Sequence, residues 1–513
     1  MSDNPVDRLK KSRGIDFDEF DRRVREEGDV VVEHLEEGTF DNPQSTVGLE
    51  YEFYAVDAAD GSLRRVHRSL LEFVGFEKEL GLHNAELTTG VHPCNGPGLD
   101  ALAREVEAKL AATDAWAAAR GVRLVSDGMW TIGPDDHSTR TYLLEATHEE
   151  GLTLAINVSN AVRYHGLASG LREIGGRVEV PGVTLAADSL GPVSLTTSIQ
   201  PHFQVERAAD LPLLFGYALR VAGPLLALGA NSPLFPPGLY DDPDPGTVLE
   251  DGWAEHRIPV YEGMMNPPDG PDKVRFPADL DRPRDAVDRI VEDRTLLPAE
   301  IAAGERFDDS FVHLRHKHGS FWRWVRPVFD GASRAAANAR IEFRPLPGQP
   351  TLGDTAAFVA AFAGAMTALP SDEHPVADLP WDRARENFYA AARDGLAADV
   401  TWITADGETT RDLCRCLDDL LDAALDGLVQ CGLPRDRAAD RLEPLRDRVR
   451  RRRTPAAWKR SLVAARLDRG RSLADAIHGA QREYLARQRE TFVDGRFSDW
   501  PDPSDGRRTT TPD

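Results

Sequence analysis

Two segments nearly three hundred residues apart alternate apolar and charged side chains, and they limit what this chain can build. They are Gly48-Leu49-Glu50-Tyr51-Glu52-Phe53 and Arg340-Ile341-Glu342-Phe343-Arg344. Alternation with period two reads as a β-strand. Successive strand side chains point to opposite faces. Glu50 and Glu52 therefore share one face, about 6–7 Å apart at Cα, while Leu49, Tyr51 and Phe53 pack the other. In the second segment Arg340, Glu342 and Arg344 share a face, backed by Ile341 and Phe343. Neighbouring carboxylates repel unless something positive lies between them, and hard oxygen ligands suit Mg²⁺ or Mn²⁺. Arginines flanking a carboxylate suit a phosphate held beside a metal. The pattern fits a metal–nucleotide site on a sheet, and it also fits two strands whose charged faces meet water. Either segment alone favours the solvent-facing reading, because such alternation is common in half-exposed sheets.

The wider chain shifts that balance. Glu79 and Glu86 bracket Leu80-Gly81-Leu82-His83-Asn84-Ala85, and Glu86 leads into Leu87-Thr88-Thr89-Gly90-Val91-His92-Pro93. In Ser194–Val205, Ser198, Gln200, His202 and Gln204 fall on one face by period two, opposite Ile199, Phe203 and Val205. His202 alone reads as a structural or surface histidine. Beside paired glutamates it becomes a candidate metal or phosphate contact.

Together these motifs resemble the glutamate–cysteine ligase type 2 family of ATP-dependent carboxylate–amine ligases, which share the glutamine synthetase-like fold. The resemblance covers roughly residues 47–350 as an order of motifs. A G-x-E-x-E-F strand with two metal-binding glutamates matches Glu50 and Glu52, and a further pair matches Glu79 and Glu86. The family's T-x-P-like stretch is looser here, as Leu87–Pro93. A histidine on a central strand resembles His202, and an R-x-E-x-R-like strand resembles Arg340, Glu342 and Arg344. Leu211–Leu228 followed by Gly229-Ala230-Asn231-Ser232-Pro233 is similar to the family's helix ending in an A-x-S-A-N-S-P-like turn.

The resemblance implies an α+β fold: a curved antiparallel sheet with helices on its outer face, plus an additional C-terminal helical region. It implies ATP and Mg²⁺ (or Mn²⁺) as cofactors and amide formation through an acyl phosphate. Glu52, Glu79 and Glu86 would hold one metal, and Glu50, His202 and Glu342 another. Arg344 would meet the transferring phosphate, with Gln204 and Arg340 on the nucleotide side and Arg257 near the carboxylate substrate. Glutamate and cysteine as substrates rest on the family name alone. A non-catalytic nucleotide- or amino-acid-binding sensor and an ATP-independent metal hydrolase remain as alternatives, although so much uncompensated negative charge has no use in a binding relic.

Net charge is −24, from 85 acidic against 61 basic residues, with lysine at only seven positions. Such a surface fits a soluble protein at high salt, or an ordinary acidic cytoplasmic protein. It argues against nucleic-acid binding, which needs a basic footprint. The N-terminus, Met1–Arg13, is polar, and apolar runs such as Leu219–Ala230 read as too short to span a bilayer, so no membrane partner is expected. Cys94, Cys414, Cys416 and Cys431 read as free buried thiols in a reducing cytoplasm.

The chain divides into an N-terminal helical extension (1–46), a catalytic domain (47–370), a C-terminal helical region (371–500) and a disordered tail (501–513). Helices are expected at 14–37, with Phe17, Phe20, Val24, Val31 and Leu35 at helical spacing, and at 99–120, ending before Gly121. Others are expected through Leu413–Leu428 and after Thr454-Pro455. Loops are expected at Asp241–Gly246 and Asn266–Asp272. His313-Leu-Arg-His316-Lys-His318 reads as a polar strand, since no nearby acidic or cysteine ligand completes a zinc set. Arg446–Arg453 reads as a solvated or salt-bridging helix face.

Overall fold

Strand β1 (Thr46–Asp57) is the spine of the protein, because four strands share its two edges. One edge pairs antiparallel with β6 (Ile199–Gln204), from Thr46↔Gln204 to Tyr51↔Ile199, and then with β5 (Val122–Val125). The other edge meets β4 (His92–Pro93) and then β3 (Asn84–Thr88), from Glu50↔Thr88 to Tyr54↔Asn84. A strand that changes partners along its length, and carries the usual right-handed twist, curves the sheet around it. Strand β8 (Asn338–Phe343) adds to β6, β7 (Val325–Asp330) to β8 and β2 (Phe76–Lys78) to β3, all antiparallel. The order is β7-β8-β6-β1-β3-β2. This computed structural model describes residues 7–503, apart from 8, 12–13, 68–70, 72–74, 160–163, 165, 167–175, 188, 242–243, 267–271 and 303.

Around the sheet, in chain order, lie α1 (Phe17–Glu36), α2 (Gly96–Ala118), α3 (Leu211–Gly229), α4 (Arg257–Met265), α5 (Pro283–Glu292) and α6 (Val312–His318). They are followed by α7 (Leu352–Ser371), α8 (Trp381–Asp394), α9 (Leu413–Gln430), α10 (Arg435–Arg451), α11 (Pro455–Leu467) and α12 (Leu473–Thr491). The expected α+β class, with an antiparallel sheet and C-terminal helices, is the observed one.

The apolar face of the sheet forms the core. Leu49, Tyr51, Phe53, Ile199, Phe203, Ile341 and Phe343 are all buried there. Phe343 stacks on Phe362 of α7 at 4.4 Å, and the Thr355 hydroxyl donates to Tyr51 Oη at 3.3 Å. Burying each large apolar side chain contributes about 1.5–3 kcal/mol. Two helices are long and apolar enough to cross a membrane, Ala208–Gly229 and Leu352–Ser371, which corrects the expectation of runs too short to do so. Both are core helices, with 83% and 78% of their most apolar windows buried.

The C-terminal helices join this core closely. Gly427 of α9 meets Gly364 of α7 so tightly that a Cβ at Gly427 would lie 1.9 Å from the Gly364 carbonyl oxygen. Arg448 of α10 is buried and pairs with Asp354 of α7 at 2.8 Å. The basic run is therefore only partly the solvated face expected: Arg446 and Arg450 pair with surface carboxylates, while Arg448 and Arg453 are buried.

Helix α1 starts at an Asp16 N-cap, and Gly38 just beyond it has φ +70°. Phe17, expected on its apolar stripe, is 46% exposed. The 313–318 segment is a helix and not a strand. Six residues carry too little periodicity to separate the two, and a contact from far away in sequence holds the segment. Glu27 of α1 accepts from the Leu314 N–H at 2.9 Å and contacts His313 Nδ1 at 2.6 Å. Most of the loop expected at 266–272 and the tail from 504 lie outside the described residues.

Candidate active site

The sheet register arranges the expected site residues in rows across one face. Glu77 of β2 opposes Glu86 of β3, which opposes Glu52 of β1. The next row is Thr88, Glu50 and Gln200. Beyond it lie Gly48, His202, Glu342 and Arg326, then Thr46, Gln204 and Arg340. Directly opposed residues share a face. Glu50, Glu52, Glu86, His202, Gln204, Arg340 and Glu342 thus stand together, opposite the apolar face.

Glu79 follows the end of β2 and completes a triangle. Carboxylate oxygens of Glu52, Glu79 and Glu86 lie within 4.8 Å of one another, the geometry of a cation site. Burial and then Glu79 push the Glu52 carboxyl up to about 8. Burial, with Glu50, Glu79 and Glu52 around it, raises Glu86 well above the carboxylate range. Glu52 is nonetheless held in place: it accepts from the Ser198 N–H at 2.6 Å and from Gln200 Nε2 at 2.9 Å. A set of converging carboxylates that resist ionisation together is suited to a divalent ion.

The second expected trio is adjacent but engaged differently. His202 Nε2 lies 3.4 Å from a Glu50 carboxylate oxygen, outside hydrogen-bonding geometry, and has no hydrogen-bond partner although buried. Burial acts to raise Glu50, but His202 outweighs it and the carboxyl lies below its ordinary value. Glu342 pairs with Arg326 at 2.8 Å and also with Arg344. Burial opposes its charge, but Arg326, Arg344 and His202 hold it well below the usual range. Among the described residues only the Glu52–Glu79–Glu86 trio brings its ligand atoms within reach of one ion.

Arg344 follows β8 and donates to Gln200 Oε1 at 2.6 Å as well as to Glu342. Burial works against its charge, and Glu342 more than offsets that, leaving it firmly protonated. Arg340 donates to His202 Nδ1 at 3.1 Å and to Asp330 at 2.6 Å, and Gln204 accepts from the Thr46 hydroxyl at 3.0 Å. Arg257, at the start of α4, is buried. Its guanidinium lies 3.4 Å from Glu255 and 5.3 Å over the Trp324 ring, and donates to the carbonyls of Arg344 and Pro345.

These groups line a cleft. A cavity of about 420 Å³ includes Glu52, Glu86, Arg257, Trp324 and Arg344 in its walls. A second, of about 200 Å³, runs along Thr46, Gly48, His202, Gln204 and Arg340. Glu50 borders both. Arg326 and Gln200 were not among the expected site residues, yet both sit in the charged rows. Gln200 shared the period-two face already visible in the sequence, and Arg326 belongs to Val325-Arg-Pro-Val-Phe, where proline obscures the alternation.

No curated protein sequence matches the chain. Solved structures of similar shape include a glutamate–cysteine ligase from Francisella tularensis in complex with AMP. It is 15% identical, with TM-score 0.49, over 88% of this chain and 90% of that one. A bifunctional glutathione synthetase from Pasteurella multocida is 14% identical, with TM-score 0.47. The match covers 90% of this chain but only 55% of that longer one. PafA, the ligase of the prokaryotic ubiquitin-like protein Pup, in a complex of the two, gives 12% identity and TM-score 0.37, over 92% of this chain and 80% of that chain. The model of glutamate–cysteine ligase family 2 (GCS2) matches residues 46–491, which take in the whole sheet, the acidic cluster and the C-terminal helices. The chain belongs to that family of ATP-dependent carboxylate–amine ligases.

Proposed function

We propose that the protein joins glutamate to cysteine, spending ATP to form γ-glutamylcysteine through an acyl phosphate. The observation that carries this is the trio of carboxylates within 4.8 Å of one another, beside Arg344, in a chain of this family. A carboxylate is a poor acyl donor, and transfer of the ATP γ-phosphoryl group makes it a good one. Bound Mg²⁺ or Mn²⁺ would neutralise the charge of the phosphates.

Glu52, Glu79 and Glu86 would hold one ion. Glu50, His202 and Glu342 would hold another, and the unpartnered His202 Nε2 beside Glu50 fits that role. Arg344 presents its guanidinium to the transferring phosphoryl oxygens. Gln200 and Glu342 fix its orientation in advance, so no reorganisation is needed as charge develops. Gln204 and Arg340 serve the nucleotide along the smaller cavity. Arg257 serves the carboxylate substrate from the wall of the larger one. Residues 47–370 carry the chemistry in this reading, with 1–46 and 371–500 bracing it.

The test is a matrix of amino-acid pairs with ATP and Mg²⁺, reading ADP, phosphate and product mass. Release that requires both glutamate and cysteine and yields the dipeptide thiol is expected. ADP release that needs no amine overturns the ligase reading, and another productive pair overturns the substrate assignment.

A further inference from the structure

Two thiols outside the catalytic face meet although 337 residues separate them. Cys94 Sγ lies 3.5 Å from Cys431 Sγ. Cys94 follows β4, and its N–H donates to the Ser45 carbonyl at 2.9 Å, while Asn95 beside it caps α2. Cys431 ends α9, anchored by its N–H to the Gly427 carbonyl at 2.9 Å, with the Thr367 hydroxyl of α7 at 3.4 Å from its sulfur. Both residues are half-buried and not fully enclosed.

The other two cysteines cannot pair in this way. Cys414 and Cys416 sit two residues apart on α9, where side chains point in different directions, and Cys416 is buried. A metal is also a poor fit at the Cys94–Cys431 pair, since among the described residues no third His, Cys, Asp or Glu joins it.

We propose that Cys94 and Cys431 are a thiol–disulfide exchange site that takes a low-molecular-weight disulfide as its oxidant. The Cys431 thiolate attacks one sulfur of the small disulfide, forming a mixed disulfide and expelling a small thiolate. The Cys94 thiol then loses its proton and attacks Cys431 Sγ, expelling the second small thiol. Two protein thiols are oxidised to one disulfide, and the small disulfide is reduced to two thiols.

The two sulfurs are unequal in the way this order requires. The contact with Cys94 brings the Cys431 thiol down to about 7, and the same contact, with burial, raises Cys94 well above its ordinary value. A disulfide needs the sulfurs at about 2.05 Å, so the pair must close from its 3.5 Å contact as the bond forms. The bond would tie the start of β1 and β4, beside Thr46, to α9.

The test exposes the folded full-length protein to bis(2-hydroxyethyl) disulfide, then alkylates and digests it without reduction. A Cys94–Cys431 cross-linked peptide is expected, with two thiols lost and the melting temperature raised by several degrees, all reversed by a reductant. C94S should instead retain a mixed disulfide on Cys431 and show no rise. Four free thiols remaining after the folded protein has been treated, counted by alkylation in urea, would overturn the proposal. So would a bond between other cysteines, or the same rise in C94S.

Discussion

Glu52 and Glu86 oppose each other directly across the β1–β3 ladder, a like-charge pairing that destabilises a sheet unless something positive lies between. Glu79 adds a third carboxylate to the same point. The ion-free protein should therefore be strained at this spot. Glu86→Gln should melt at or above wild type without metal, because the amide replaces a carboxyl that burial and its neighbours keep from ionising. Wild type should gain about 2.7 kcal/mol at Mg²⁺ a hundredfold above its dissociation constant. The variant should lose most of that gain, as read by thermal melting with and without Mg²⁺. An equal metal response in both proteins would remove Glu86 from the site.

Arg344 and Glu342 are joined by an ion pair yet have separable expected effects. Arg344→Lys keeps the charge but loses the planar fork that grips two oxygens. Its kcat should fall on the order of a hundredfold, with nucleotide affinity little changed, if the contact belongs to the transition state. Glu342→Gln should instead weaken metal-dependent nucleotide binding and release Arg326 from its partner. Steady-state kinetics and nucleotide titration on both variants, once the substrate pair is known, check this. Wild-type turnover in Arg344→Lys would return the strand to a structural role.

His83 and His256 are among the buried histidines that limit stability in acid, His318 being another. Burial lowers His83 from 6.5 to about 4 and, with Arg460 nearby, His256 to about 3. His83 bridges the Tyr142 hydroxyl and the Ser194 carbonyl, and His256 bridges the Trp253 N–H and the Ser232 carbonyl, each as a neutral ring. The folded-state value lies below the unfolded one, so the unfolded chain binds the extra proton. This stability is fully present above about pH 6.5 and is lost as pH falls toward 4, at about 1.4 kcal/mol per pH unit for each ring. The two together should cost roughly 4 kcal/mol by pH 5. Denaturant melts between pH 5 and 7 should show a shallower slope in His83→Gln than in wild type.

The sheet and its charged face were legible because period two is visible in sequence: Glu50 and Glu52, or Arg340 and Glu342, declare a shared face by spacing alone. Glu79 was not legible in that way. It stands just past a three-residue strand and enters the cluster through the chain's path, so only the resemblance singled it out. Helix α6 was misread because its six residues show too little periodicity, and Glu27, almost three hundred residues upstream, helps to hold it. The interior charges were hidden as well. Arg448 stands in a run that looks solvent-bound, and nothing local reveals that Asp354 of another helix receives it.

The most consequential of these hidden charges is the pair of Lys459 on α11 with Asp127, both fully enclosed. Burial lowers the lysine and raises the aspartate, so each depends on the other to remain charged. Lys459 Nζ also donates to the Asn231 carbonyl at 2.9 Å, and the Asn231 N–H donates to Glu255 at 2.9 Å. Glu255 in turn faces Arg257 in the wall of the cleft. Lys459→Met should cost about 3–5 kcal/mol, because it strands a buried carboxylate. Lys459→Met combined with Asp127→Asn should recover a large part of that loss, since the amide keeps the shape and still accepts from Gln481 at its oxygen. Denaturant unfolding of the wild type, both single variants and the double variant measures the coupling. Strictly additive losses would mean the two charges do not depend on each other, and α11 would then brace the site by packing alone.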